Sequence, residues 1–365
     1  ALAGVRPENP LPKQIVALIG TYIALWQHRR YQAPLESTAN QPWKRLHSAY
    51  ATADVVVGVS GNQFYSSGKY GWPFPATYAS VSLAHAFQKP LYILPQSIGP
   101  LRRQWERRML AKGYGRARRI YLRDSISLRL AGELGLPMEN VSYAPDPAFD
   151  LAPADPMEAT NLLQTWGADM TKPKLGVTVI APMGRSFVTA EVKNYYAVLE
   201  QTLTRFLQCY TAQVVLFNQV SGPTPNENDG EAAAALCARL KATGLDVVHI
   251  NQSVKPALLK ACYGYMQAFL ASRLHSGVFA LGMNVPTVFI GYLSKTRGML
   301  QALELENNVI DLKDLKEQDL WEKLSYTWEH ATQERRALEV KMPAIKAASH
   351  APAQAIREDF LRYHG

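Results

Sequence analysis

Three side chains that can carry positive charge lie in the stretch FLASRLHSGVFALGMNVPTVFIGYLSK, which ends at Lys295. Arg273 and His275 are two residues apart, and the adjoining Ser272 and Ser276 add hydroxyl groups. Guanidinium, imidazolium and ammonium groups all donate hydrogen bonds to phosphates and carboxylates. The stretch therefore predicts a site for an anionic ligand.

The hydrophobic pattern of this stretch indicates how the cationic side chains are positioned. Gln267–Ala271 predicts a short buried strand, Ser276–Met283 a helix and Pro286–Tyr292 the next strand. The arginine and the histidine then fall at the turn between strand and helix, and the lysine follows the next strand. In an open parallel sheet, ligands bind at this edge because helix N–H groups favour an anion there.

Strand-like runs alternate with helix-length periodic segments along most of the chain, which indicates βαβ units and parallel sheets. The Pro- and Asp-rich segment Ala144–Pro156 interrupts this alternation and predicts a linker. We expect an α/β fold of two Rossmann-like domains facing a cleft, at residues 1–150 and 151–330. A helical tail at 331–365 is expected to pack back on the first domain. The predicted strands are Asp54–Val59, Leu91–Pro95, Ile120–Arg123, Val141–Ala144, Leu175–Ile180, Gln213–Phe217, Asp246–Ile250, Gln267–Ala271, Pro286–Tyr292 and Asn308–Asp311.

The bulk composition is that of a globular chain of two ordinary domains. The sequence has 365 residues, of which 47% are apolar and 19% charged. Its three cysteines form no CxxC pair, which predicts neither a disulfide framework nor a zinc site and favours the cytosol. The apolar run Ile15–Trp26 is too short to span a bilayer and is expected to be buried. Because the chain begins with Ala1, we expect its native amino terminus to be missing.

Positive charge is concentrated in the first part of the sequence. Residues 1–150 contain 18 Lys and Arg against 9 Asp and Glu, whereas residues 151–365 contain 21 of each. Ten of the basic residues lie between Arg102 and Arg129. This asymmetry predicts a large anionic partner, which could be anionic lipid headgroups, a lipid diphosphate or nucleic acid, or else a solvated surface helix. No nucleic-acid-binding motif is present, so nucleic acid is not an expected partner.

Loops after two predicted strands of the first domain carry candidate sugar-binding residues. After Val55–Val59 the chain enters a Gly-, Ser- and aromatic-rich loop, in which small residues admit a ligand and aromatic rings can stack on a sugar. A second loop, after Leu91–Pro95, offers two polar side chains; packing against the core is the structural alternative for both loops. The candidates for binding a sugar are Gly61, Asn62, Tyr65, Tyr70, Trp72, Gln96 and Ser97. After the next strand, Asp124 or Ser125 is expected to cap a helix.

Several motifs of common enzymes are missing. The sequence has no Walker loop, GxGxxG, HExxH or GxSxG motif, and no cluster of metal-binding Cys and His. We therefore expect no metal and no cofactor.

The motifs LPQSIGP, RDSIS, PDPAF and SRLHSGVFALGMNVPTVFIGYLSK, in this order, resemble the polysaccharide pyruvyl transferase family. The resemblance extends from about Asp54 to Asp311. It implies a GT-B-like fold and transfer of pyruvate from phosphoenolpyruvate to two hydroxyls of a sugar in a glycan or lipid-linked precursor. From the cysteine content and the basic first half of the chain, we expect a cytoplasmic protein that is peripheral to the inner face of the membrane.

The resemblance assigns roles to individual residues. The family's Arg-x-His matches Arg273 and His275, and its following Lys matches Lys295. His275 could then donate a proton to the donor's methylene carbon or take one from a sugar hydroxyl, because imidazole exchanges protons near neutral pH. An Arg of the second domain's first strand is replaced by Ile180 and Ala181, and Arg185 is the candidate substitute for donor binding. The alternatives are a nucleotide-sugar glycosyltransferase of the same fold and an inactive module that binds anionic surfaces.

Overall fold

The computed structural model describes residues 41–66, 73–181, 189–222, 228–292 and 294–364. Contacts divide these residues into two compact units. The first unit comprises the described residues up to Asp146 together with those from His350 onward, and the second extends from Pro147 to Ser349. Within these described ranges, no helix combines the length and apolar character needed to cross a membrane.

The first unit is built on a parallel sheet. Its four main strands lie in the order β1-β3-β4-β5, and β2 pairs with β3 beyond the end of β1. All described pairings are parallel, so the carboxyl ends of these strands meet at one edge. The strands are β1 Val56–Gly58, β2 Gly61–Phe64, β3 Leu91–Ile98, β4 Arg119–Leu122 and β5 Val141–Tyr143.

Helices of the first unit cover this sheet with apolar faces. Phe74, Tyr78 and Val81 pack in one cluster with Leu110 and Tyr114 of the next helix. As expected, Asp124 caps a helix, accepting hydrogen bonds from the backbone N–H and the hydroxyl of Ser127. The helices are Gln41–Thr52, Phe74–Ala86, Gln104–Tyr114 and Ser125–Glu133.

The second unit has a six-stranded parallel sheet in the order β11-β10-β9-β6-β7-β8. The chain builds β7 and β8 on one side of β6, then returns to place β9 on the other side. This reversal makes the carboxyl ends of β6 and β9 a topological switch point, where open α/β sheets bind ligands. The strands are β6 Lys174–Thr178, β7 Gln213–Phe217, β8 Val247–Ile250, β9 Ala268–Ala271, β10 Thr287–Gly291 and β11 Val309–Asp311.

Both faces of this second sheet are buried. Along β9, Phe269 and Ala271 belong to one apolar cluster, and Ala268 and Leu270 to the other. Such two-sided burial is typical of parallel sheets between helices. The helices are Pro156–Thr165, Thr189–Cys209, Asp229–Ala242, Pro256–Tyr263, Leu274–Gly282, Ser294–Ala302, Glu317–Glu329 and Ala331–His364, and the last of these belongs to the first unit from His350 onward.

Close packing fixes the helix Leu274–Gly282, which carries the RLHS motif, against the sheet. A Cβ atom at Gly277 would overlap the ring of Phe289 in β10. Only glycine therefore lets the helix approach this strand so closely. The approach holds the amino end of the helix at the switch point.

The predicted α/β class with parallel sheets is confirmed, and two local predictions were wrong. β3 was expected to end at Pro95 but continues to Ile98, so Gln96 and Ser97 lie in the strand and not in a loop. Pro95 is tolerated because the pairing of β3 with β4 is irregular between Ile93 and Gln96, where a ladder hydrogen bond is not required. Gly61–Phe64, expected as a loop, forms the short strand β2.

Candidate anion-binding pocket

The second unit contains a pocket of about 370 Å³ at the carboxyl edge of its sheet. The pocket is lined by residues from the segments that follow four strands of the sheet. These residues include Asn218 after β7, Ser253 after β8, Arg273 after β9 and Tyr292 after β10. Its other polar lining residues are Gln219, Ser221, His275, Lys295 and Thr296. The structure thus brings together Arg273, His275 and Lys295, as the sequence predicted.

Arg273 is the best-anchored cation of the pocket. It is the N-cap residue of the helix Leu274–Gly282, and its side chain is only 8% exposed. Its Nε donates to Asp229 Oδ2 over 2.9 Å and its Nη2 to Oδ1 over 2.5 Å. This bidentate arrangement fixes the plane of the guanidinium group.

Asp229 holds more than the arginine. Its fully buried carboxylate also accepts the backbone N–H groups of Ala181 after β6 (2.8 Å) and Val220 after β7 (3.2 Å). Burial alone would lower the pKa of Arg273, but the hydrogen bonds and the charge of Asp229 raise it above its ordinary value. The guanidinium therefore stays charged, in an orientation that one carboxylate imposes.

The remaining donors of Arg273 are directed to the pocket side. Nη1 lies 3.5 Å from the hydroxyl of Tyr292, and both residues line the pocket. His275, the second residue of its helix, is exposed, and Lys295, the second residue of Ser294–Ala302, is partly buried. Two helix amino ends and two or three cationic side chains therefore surround one space, which is an arrangement that favours an anion.

Ser272 and Ser276, predicted to bind the donor, do not line the pocket. Both are buried: Tyr195 donates to Ser272 Oγ over 2.8 Å, and Ser276 Oγ lies 2.7 Å from Thr178 Oγ1. Ser276 also donates to the carbonyl of Arg273 over 2.6 Å. These hydroxyls link the ends of β6 and β9 to the amino end of the helix. They therefore position Arg273 from the buried side, without lining the pocket. Arg185 lies outside the described residues.

The part of the pocket that is lined by the uncharged side chains of Asn218 and Gln219 was not predicted from the sequence. Asn218 Oδ1 is 2.8 Å from His249 Nε2, and Gln219 Oε1 accepts the hydroxyl of Tyr263 over 2.8 Å. Burial lowers the pKa of His249 to about 4, so this histidine is neutral and serves to orient Asn218. Their positions directly after β7 are the signal that could have identified Asn218 and Gln219. Among the described residues, no group of His, Cys, Asp and Glu has the arrangement of a metal site.

In the first unit, Gln96 is the buried candidate of most interest. Its Nε2 donates to the Val59 carbonyl over 2.8 Å, but its Oε1 has no partner among the described residues. In the same part of the chain, the buried atoms Ser60 Oγ and Asn62 Oδ1 also lack described partners, and Gly61 is the strand neighbour of Gln96. These unsatisfied atoms lie in one region, where the end of β1 and β2 meet β3. Such atoms are uncommon in folded proteins and are suited to receive the hydroxyls of a ligand.

Other candidates of the first unit have different surroundings. Ser97 Oγ accepts a hydrogen bond from Arg123 Nε over 3.0 Å, and Arg123 forms a buried ion pair with Asp146. The hydroxyl of Ser97 thus supports an internal ion pair. Tyr65 is partly buried beside these strands, and Tyr70 and Trp72 lie outside the described residues.

Similar solved structures define the class of protein. HepE from Anabaena, solved in complex with UDP-glucose, is 15% identical and has a TM-score of 0.54, with 90% of this chain and 84% of that chain covered. A UDP-N-acetylglucosamine 2-epimerase from Listeria monocytogenes, itself described as putative, is 10% identical with a TM-score of 0.58, and the match covers 90% and 82%. Their likeness shows the GT-B-like fold.

The family follows from sequence comparison. A family model described as polysaccharide pyruvyl transferase matches residues 15–294, and the chain belongs to this family. A curated relative, the amylovoran biosynthesis protein AmsJ of Erwinia amylovora, is 22% identical over 270 residues. That match covers 72% of this chain and 62% of the relative, so the chain spans less than two thirds of the relative's length.

Proposed function

We propose that this protein transfers pyruvate from phosphoenolpyruvate to two hydroxyls of a sugar in a cell-surface glycan precursor. The product is a cyclic ketal, and phosphate is released. The observation that carries the proposal is the pocket in which Arg273, His275 and Lys295 surround one space at two helix amino ends. A small ligand with both a phosphate and a carboxylate matches this concentration of positive charge.

In this proposal, Arg273 and Lys295 bind the donor phosphoenolpyruvate. Asp229 occupies Nε and Nη2 of Arg273, so the guanidinium meets the donor through its remaining N–H groups. Lys295 and the amino end of its helix hold the second anionic group. Phosphoenolpyruvate enters as a co-substrate, and the proposed reaction needs no other cofactor.

The chemical step requires a proton at the donor's methylene carbon. Protonation converts the double bond into an oxocarbenium-like centre, which the two sugar hydroxyls attack as the bond to phosphate breaks. Of the two hydroxyl protons, one balances the new methyl group and the other leaves with phosphate. His275 is the proposed proton carrier, since imidazole exchanges protons near neutral pH whereas Arg and Lys remain charged.

Sugar binding is assigned to the first unit. Gln96 Oε1, Asn62 Oδ1 and Ser60 Oγ are buried acceptors with no partner in the described part of the chain, and sugar hydroxyls are hydrogen-bond donors that would satisfy them. A cytoplasmic protein at the inner face of the membrane would encounter such an acceptor on its lipid carrier.

Mass spectrometry tests the proposal directly. The protein is incubated with phosphoenolpyruvate and lipid-linked sugars, and phosphate release is followed together with the mass of the sugar. We expect stoichiometric phosphate and a pyruvyl mass gain, both lost in Arg273→Ala. Phosphate release without a change in the sugar would contradict transfer.

Transfer of a sugar from a nucleotide sugar is a second candidate function, because the pocket extends beyond Arg273, His275 and Lys295. Asn218, Gln219, Ser221 and Ser253 line this further part, and they offer neutral donors and acceptors. Calorimetry separates the two candidates, since tight binding of UDP-glucose, weakened in Gln219→Ala, would favour the nucleotide sugar. Binding of phosphoenolpyruvate that is insensitive to Gln219→Ala would favour pyruvyl transfer.

A further inference from the structure

The structure separates the ten basic residues between Arg102 and Arg129 into two groups. Four of them form ion pairs within the first unit, at distances of up to 3.6 Å. These pairs are Arg103–Glu106, Arg107–Glu133, Arg119–Asp359 and Arg123–Asp146. Their charges are offset inside the unit, so they contribute little to attraction at a distance.

Most of the remaining charges are exposed and uncompensated. Arg102, Arg108, Lys112, Arg116 and Arg129 are exposed, and none of them forms an ion pair with another residue of the described chain. Exposed Glu133 and Glu139 lie near this surface, but Glu133 is paired with Arg107, and the five unpaired cations outnumber the carboxylates. A surface with such an excess of positive charge attracts polyanions over about one Debye length.

Part of this positive charge lies along one side of the helix Gln104–Tyr114. Trp105, Arg108 and Lys112 follow the spacing i, i+3, i+7 and therefore lie along one side of the helix. The opposite side is buried through Leu110 and Tyr114. Because that side belongs to the apolar core, the charged side has a fixed orientation on the unit's surface.

Two apolar side chains are exposed beside these cations. Trp105 is 38% exposed, and its ring meets Phe74 edge-on with the centroids 5.8 Å apart. Met138 is 46% exposed and follows Pro137, which lies beside Gly115 just past the helix. An indole ring and a thioether among cations match the interface of a bilayer, where charged headgroups adjoin acyl chains.

We propose that Arg102, Trp105, Arg108, Lys112, Arg116 and Met138 form a docking face for an anionic lipid bilayer. The cations are attracted to the headgroups, and Trp105 and Met138 enter the boundary with the acyl chains. Apolar contacts of this kind would gain nothing on the phosphate backbone of a nucleic acid, so charge and apolar exposure together favour the bilayer. The residues are distinct from those of the anion-binding pocket, and the inference does not depend on the proposed reaction.

Flotation with lipid vesicles tests this docking face. Vesicles of equal parts phosphatidylcholine and phosphatidylglycerol are expected to bind the protein, whereas pure phosphatidylcholine is not. Arg108→Glu with Lys112→Glu should weaken binding about tenfold or more, because each basic residue near an anionic surface contributes substantially. The matched control is Lys241→Glu with Lys313→Glu, which changes the net charge equally on exposed residues of the second unit and should leave binding nearly unchanged.

Two further measurements complete the test. Trp105→Ala should weaken the binding that persists at high salt, since its contribution is apolar and is not screened. Thermal unfolding establishes that each variant is folded, and pyruvyl transfer to a water-soluble sugar should be unchanged in all of them. Equal losses in the two charge-reversed variants, or tighter binding to duplex DNA than to the anionic vesicles, would overturn the proposal.

Discussion

Each unit places a buried arginine just after a parallel strand, but the two arginines differ in what remains available to a ligand. Arg123 follows β4, pairs with Asp146 and is 2% exposed. Arg273 follows β9, pairs with Asp229 and is 8% exposed, and it lines the pocket. The difference teaches that a buried ion pair alone does not identify a binding site. What distinguishes Arg273 is that its remaining N–H groups face a space shared with other cations.

The largest expected effect separates chemistry from anion binding within the pocket. His275→Gln should reduce turnover about 100- to 10,000-fold, the usual range for loss of a general acid or base, while phosphoenolpyruvate affinity stays within a few-fold. Steady-state kinetics and calorimetry measure the two quantities, and one limb of the pH–rate profile should flatten. The control is His330→Gln, at a partly buried position that does not line the pocket. A parallel loss of affinity and turnover would make His275 only a phosphate ligand.

The next effect tests the arginine of the first unit. Arg123→Met leaves the buried carboxylate of Asp146 unpaired and should lower the free energy of unfolding by about 3–5 kcal/mol. Urea denaturation measures the loss, and removing both charges in Arg123→Met with Asp146→Leu should recover much of it. Phosphoenolpyruvate affinity should not change in the variants that remain folded. A change in affinity would break the comparison, because Arg123 would then share the role of Arg273.

A smaller effect is expected for the arginine of the second unit and its partner. Arg273→Ala should weaken phosphoenolpyruvate binding at least tenfold, as expected for a charge-assisted contact of about 1.5–3 kcal/mol. Asp229→Asn keeps Arg273 but loses its bidentate anchor, so turnover should fall roughly tenfold while affinity changes little. The affinity is spared because a looser guanidinium is offset by the loss of a nearby negative charge. Unchanged affinity in folded Arg273→Ala would refute the assignment of this residue.

The smallest effect concerns Lys260, a buried cation that, unlike the two arginines, can lose its proton. Its Nζ donates to the carbonyls of Ala148 and Phe149, over 3.2 and 2.8 Å. Burial, with repulsion from Lys346, lowers its pKa to about 8, below the value of about 10.4 in an unfolded chain. Between these values the unfolded chain binds more protons, so the free energy of unfolding should rise with pH, on the order of 1 kcal/mol.

Urea denaturation at pH 8 and pH 10 measures this rise, and Lys260→Met removes the titrating group. The difference between wild type and variant isolates Lys260, because tyrosines and other lysines titrate equally in both proteins. A rise of the same size in Lys260→Met would show that another group is responsible.

Local sequence patterns predicted the secondary structure and the edge of the sheet on which the pocket lies. The strand Gln213–Phe217 has the bounds that its hydrophobic pattern indicated. Arg273 and His275 could be placed because both lie at one junction between strand and helix, whose geometry is local, although the helix begins at Leu274 and not at Ser276 as expected. The strand β2 was missed because Gly61 and Asn62 are poor strand formers, and pairing with β3 overrides that preference.

Long-range pairings were beyond the reach of sequence patterns. Asp229 and Arg273 are 44 positions apart, and nothing in either segment indicates that the two side chains meet. The buried roles of Ser272 and Ser276 were hidden for the same reason, since their partners come from Thr178 and Tyr195 on other elements. The sequence therefore identified the cations of the pocket and missed the carboxylate that orients one of them.

That carboxylate makes ligand binding and loop order interdependent. Asp229 serves as a common acceptor for Arg273 and for the backbone of Ala181 and Val220, on two separate loops. A ligand that drew the guanidinium of Arg273 toward itself would change how Asp229 accepts hydrogen bonds from the backbone N–H groups of both loops. By reciprocity, anything that reordered either loop would change the affinity for that ligand by the same factor. One side chain thus couples occupancy of the pocket to the backbone of Val220, which lines the pocket, and to that of Ala181, which does not.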